Sequence, residues 1–176
     1  MHWRVIFLIF LAVYCLLVYV VSRFAVPFMG WRGFKPPKEI PGEIKIKIAE
    51  LEALAHNPQS YLQSVYDFVM EKNRTQWNHT RLRAAFRLRR AFVKDLGEIW
   101  RTRDFIYCTA INYLVYSMLT GSRYFKPSDI KVRHVFVNFF IHQYLRVKIN
   151  GIWTDVDPAG TGIRGKPLGG HLEWLG

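Results

Sequence analysis

Apolar residues run without a break from Val5 to Val21, seventeen positions with no polar face. A helix inside a soluble core carries a polar side, so this stretch reads as a membrane span at the short end of the usual length. Trp3 and Trp31 flank it as interface anchors. A cleaved signal peptide is the competing reading. The apolar core exceeds the usual length of about 7 to 15 residues, however, and Ser22-Arg23-Phe24-Ala25 makes a poor cleavage site. Residues 1–26 are therefore expected to form a transmembrane anchor.

The pattern then changes twice. Residues 27–42 hold Pro27, Gly30, Gly33, Pro36, Pro37, Pro41 and Gly42, breakers spaced closely enough to prevent regular structure and to suit a juxtamembrane linker. From residue 43 to 176 the chain reads as one folded domain. Helical spacing predicts helices over 44–55, over 58–72 with Pro58 near its start, and over 80–98. In the third, Leu82, Ala85, Phe86, Phe92, Val93 and Leu96 form one stripe, opposite Arg83, Arg87, Arg90 and Lys94. A fourth helix is expected from Cys108 to Leu119, burying Ala110, Ile111, Leu114, Val115 and Met118, with Gly121 as its stop. Beyond it, β-branched and aromatic residues predict strands over 132–141, 143–149 and 152–156, and Asn150-Gly151 is a strong hairpin signal. Helices first and strands second define an α+β domain, helices packed on an antiparallel sheet.

Charge adds a partner class. The net charge is +12, and Arg4 is the only charged residue before Arg23, so the excess lies on the polar part. Next to a membrane span this favours anionic headgroups over nucleic acid, with Arg83, Arg87, Arg90 and Lys94 as the contact, although most such stripes are merely solvated faces. Arg23, Arg32, Lys35 and Lys38 follow the span, and by the positive-inside tendency they put the domain on the cytoplasmic face of a single-pass protein. The acceptor patterns Asn73-Arg74-Thr75 and Asn78-His79-Thr80 point the other way if the host glycosylates. The two cysteines, Cys15 in the span and Cys108 in the polar part, leave Cys108 a lone thiol with no disulfide partner in its domain.

The hairpin predicts chemistry. With Asn150-Gly151 as a two-residue turn, Ile149 pairs with Ile152, Val147 with Thr154 and Leu145 with Val156 on one face. Lys148 pairs with Trp153, Arg146 with Asp155 and Tyr144 with Asp157 on the other. His142 falls two positions beyond Tyr144 on that polar face, a diagonal neighbour of Asp157 at about 7 to 8 Å between backbones. A Cys at a helix N-terminus, a His able to take and return its proton, and an Asp to hold the imidazole are the parts of a nucleophilic site. Each residue also has a plain explanation by itself, as a buried thiol, a strand His and a turn-starting Asp.

Rivals are weaker. Asp155 is explained by a cross-strand ion pair with Arg146. His134 lies eight residues before His142, about 26 Å along a continuous strand, and serves the same site only if the chain folds back between them. Zinc on Cys108, His142 and Asp157 lacks a close-spaced ligand pair, so neither a metal nor a cofactor is expected. Residues 160–167 spell G-x-x-x-x-G-K-P, but Pro167 replaces the magnesium-binding Ser or Thr and no helix follows, so this reads as a glycine-rich surface loop.

The segments Y-C-T-A-I-N-Y-L-V-Y-S-M-L at 107–119 and H-Q-Y-L-R-V-K-I-N-G-I-W-T-D-V-D-P at 142–158 resemble the transglutaminase-like superfamily, over residues 58–160. Cys108, His142, Tyr144, Trp153, Asp157 and Pro158 match the family pattern. That pattern opens a helix with Cys and places Asp fifteen residues after His in a W-x-x-V-D-P ending. Departures are Ile106-Tyr107 before the Cys, where the family often has Gly, and Gly121 to Pro127 in place of a G-I-P-A-R turn. The resemblance implies a papain-like core, a catalytic triad of Cys108, His142 and Asp157, and thiol attack on an amide or peptide carbonyl. A thioester would then be released to water, as in a cysteine peptidase, or to an amine, as in an acyltransferase. The alternative is a catalytically silent member used for binding, contacting lipid or a polyanion through the basic stripe.

Overall fold

The structure is a computed structural model describing residues 2–30, 33–73, 88–102, 106–137, 140–159 and 167–171. It contains α1 (His2–Ala25), α2 (Gly42–Leu54), α3 (Pro58–Lys72), α4 (Leu96–Arg101) and α5 (Cys108–Thr120), then β1 (Ile130–Val137), β2 (Phe140–Ile149) and β3 (Ile152–Val156). The strands form one antiparallel sheet in the order β1-β2-β3, so the fold is α+β. Among the described residues, α1 is the one helix long and apolar enough to cross a membrane, and nothing packs around its apolar window.

Local sequence explains most boundaries. Asn57 accepts from the Ser60 N–H at 2.8 Å, the Ser60 hydroxyl reciprocates, and Pro58 occupies the first turn where its missing N–H costs nothing. Asn150 and Gly151 take φ of 50° and 88°, the two left-handed positions of a tight hairpin turn, and the β2–β3 register is the one counted outward from it.

Two expectations are corrected. The helix over 80–98 does not exist as one piece. Residues 80–87 lie outside the described residues, Leu88–Phe92 form a short 3-10 turn, and α4 starts only at Leu96. The cause is Asp95, whose extended backbone and carboxylate, accepting from the Glu98 N–H at 2.7 Å, start a new helix. Arg90 consequently faces Glu98 at 3.7 Å and Thr102 at 3.4 Å instead of a solvent stripe with Lys94. Arg83 and Arg87, like the glycine-rich residues 160–166, lie outside the described residues.

The strand over 132–141 is likewise two strands. β1 ends at Val137 and the chain returns in β2 from Phe140, so His134 pairs with Gln143 and Val135 with His142. Gly121 ends α5 as expected, with φ of −79°. It is glycine for space: a Cβ there would meet Ile40 Cδ1 at 2.6 Å and Ile48 Cδ1 at 2.9 Å.

The core centres on α5. Every residue from Thr109 to Leu119 is buried, more than the single stripe expected, because α5 packs against β2, α2, α3 and α4. Leu145, Val147 and Val156 supply the sheet side, while α3 contributes Tyr61, Leu62, Val65 and Val69. Helix and sheet thereby hold the first turn of α5 against the start of β2.

Candidate active site

Two elements position the reactive groups. Tyr107 starts α5 without a side-chain cap, so the first-turn N–H groups beside Cys108 are not taken up by a capping side chain. β2 carries His142, which is buried, and β3 ends one residue before Asp157, which is fully buried. His142 Nε2 donates to Asp157 Oδ2 at 2.8 Å, as the diagonal placement on the hairpin requires. The half-buried Cys108 side chain lies beside His142, close enough to act on the ring. With Nε2 engaged by the carboxylate, Nδ1 is the ring nitrogen left for the thiol.

Burial alone would push the His142 imidazole down, but the hydrogen bonds to Asp157 and Cys108 and their charges outweigh it and raise it to about 10. The ring is thus held as an imidazolium at neutral pH. Tyr66 of α3, raised to about 12 by burial and by the Asp157 charge, stands next to the carboxylate. Tyr107 is raised by burial and by its neighbour Cys108.

The rival residues are engaged elsewhere. Asp155 Oδ1 lies 2.7 Å from Arg146 Nε, the ion pair expected from the register, and Oδ2 meets His171 Nδ1 at 2.8 Å. His134 meets Arg23 Nη1 at 3.0 Å, and burial with the Arg23 charge lowers it to about 4. No group of three or more His, Cys, Asp or Glu able to hold a metal ion occurs among the described residues.

Sequence reading overlooked two residues. Asn112, one turn after Cys108, donates from Nδ2 to the Gln143 carbonyl at 2.6 Å and ties the cysteine helix to the histidine strand. Its signal was an amide side chain in the middle of a mostly apolar helix. His171 stacks on Tyr144 with ring centroids 4.3 Å apart, closing the sheet face next to His142. It lies past residues 160–166, and no local pattern could bring it there.

The two histidines give stability opposite pH dependences. His142, raised in the fold, contributes stability that is complete below about pH 6.5 and lost as pH rises toward 10. His134, lowered in the fold, contributes stability present above about pH 6.5 and lost as pH falls toward 4. Denaturation midpoints of the full chain in detergent should therefore peak near pH 6 to 7. His142→Gln should flatten the alkaline limb and His134→Gln the acid limb.

Comparison with protein-family models, with curated proteins and with solved structures finds no match for this chain.

Proposed function

We propose that this protein is a membrane-anchored cysteine enzyme of the transglutaminase-like kind, acting on amide or peptide bonds through Cys108, His142 and Asp157. The observation that carries the reading is the buried chain of contacts from the Asp157 carboxylate at 2.8 Å through the His142 ring to the thiol at the start of α5. An imidazolium beside the sulfur and an uncapped helix N-terminus both stabilise negative charge that develops in the site during attack. Asp157 holds the ring orientation and its charge.

The chemistry follows. The Cys108 sulfur attacks the carbonyl carbon, and the negative oxygen that develops faces the first-turn N–H groups of α5. The C–N bond breaks as His142 gives its proton to the departing amine, leaving a thioester. His142, now neutral, takes a proton from water as it attacks, and the acid leaves with the thiolate restored. Release to an amine in place of water would make the same site an acyltransferase.

The span Val5 to Val21 would make the protein single-pass, with the catalytic part on the cytoplasmic side on the strength of Arg23, Arg32, Lys35 and Lys38. Asn73 agrees with that side, since its side-chain amide is buried and donates to the Val69 carbonyl at 2.8 Å, so it is not presented to a glycosylating enzyme.

The test is acylation with p-nitrophenyl acetate, using full chain with Cys15→Ala so that one thiol remains. The expected result is a burst of one nitrophenolate per chain and the mass of an acetyl group on Cys108. No burst, with acetyl groups scattered over lysines, would overturn the reading.

A further inference from the structure

The segment joining α1 to α2 is fastened to the domain. Arg23, in the last turn of α1, reaches His134 on β1 at 3.0 Å and donates to the Met29 carbonyl at 3.1 Å. Gln143, fully buried and next to His142, donates from Nε2 to the Phe28 carbonyl at 2.8 Å and lies 3.1 Å from His134 Nε2. The Phe28 ring stacks on Tyr113 of α5 with centroids 4.0 Å apart. Phe34 meets Tyr113 and Tyr116 edge-on, and the Tyr116 hydroxyl donates to the Phe34 carbonyl at 3.2 Å. Phe28 takes a φ of 64°, a conformation unfavourable for an aromatic residue, which these contacts hold in place.

These contacts reach the two elements that carry the reactive groups. Tyr113 lies five residues along α5 from Cys108, a rise of about 7.5 Å. Gln143 is one Cα spacing, about 3.8 Å, from His142. The thiol therefore stands on the order of 20 Å from the point where α1 ends. A catalytic group held at a fixed height above a bilayer has an advantage only toward a substrate whose own height is fixed.

We infer that the site acts at the membrane surface, on an amide carbonyl of a second membrane-anchored polypeptide, close to where that chain leaves the bilayer. This rests on the nucleophilic reading of Cys108 and names its substrate class. A polypeptide is the substrate class favoured over a lipid amide, because the rings of Phe28, Phe34, Tyr113 and Tyr116 are packed on one another and present no open slot there for an acyl chain.

The experiment uses the full chain with Cys15→Ala in lipid nanodiscs that also contain a synthetic single-span peptide. The peptide carries one chloroacetamide, either 4 or 30 residues beyond its span. Attack by Cys108 displaces chloride and leaves a stable thioether, read by mass. The exit-proximal peptide is expected to label Cys108 at least tenfold faster than the distal one. Inserting ten Gly/Ser residues between Ala25 and Val26, a tether of about 17 Å, should remove that preference. Labelling by soluble iodoacetamide should be the same in both proteins. Equal rates for the two peptides, or fastest labelling by a headgroup-linked chloroacetamide lipid, would overturn the inference. If soluble iodoacetamide reacts with Cys108 only as with an ordinary thiol, the nucleophilic reading fails, whatever the peptide preference.

Discussion

Asp157→Ala should lower unfolding stability by about 3 to 5 kcal/mol at pH 7, the cost of leaving one member of a buried charged pair without the other. Asp157 is fully buried and accepts from His142 Nε2 at 2.8 Å, so its removal strands an imidazole that can neither keep its charge nor find water. Asp157→Asn keeps an acceptor in nearly the same place and should cost about 1 to 2 kcal/mol. Urea unfolding of the full chain in detergent at constant pH measures both. Equal losses for Ala and Asn would mean that shape and not the hydrogen bond holds the site.

The second large effect concerns rate. His142→Ala should slow acetylation of Cys108 by p-nitrophenyl acetate by about 100- to 10,000-fold at pH 7, the range associated with a positioned acid–base group. Position is what the fold supplies: Asn112 binds the Gln143 carbonyl at 2.6 Å, so the start of α5 and the start of β2 move together. Added imidazole should restore part of the lost rate, as expected if the missing ring acts chemically at the thiol and not as a packing element.

How much of this was legible depends on the range of the forces involved. The Asn150-Gly151 turn sets φ locally, and from it the pairing Arg146 with Asp155 and the approach of His142 to Asp157 follow by counting. Asn57, Pro58 and Ser60 announce the start of α3 in the same local way. The break between β1 and β2 was hidden because Asn138-Phe139 contains neither Gly nor Pro, so an unbroken β-branched and aromatic run read as one strand. Asp95 was overlooked as a helix start because Leu96 continued the apolar spacing of residues 82–93. Full burial of α5 depends on neighbours from distant parts of the chain, including Phe28 and Phe34 in the breaker-rich juxtamembrane segment. The docking of Arg23 on His134 spans 111 positions, and no spacing rule reaches that far.

The pH dependence of Cys108 alkylation by iodoacetamide, in full chain with Cys15→Ala, tests the Cys–His–Asp unit most directly. The account predicts rapid alkylation at pH 6 with little further rise to pH 8, and in His142→Ala a rate that climbs about tenfold per pH unit, as for a free thiol. A wild-type profile already climbing in that way, unchanged in His142→Ala, would contradict it.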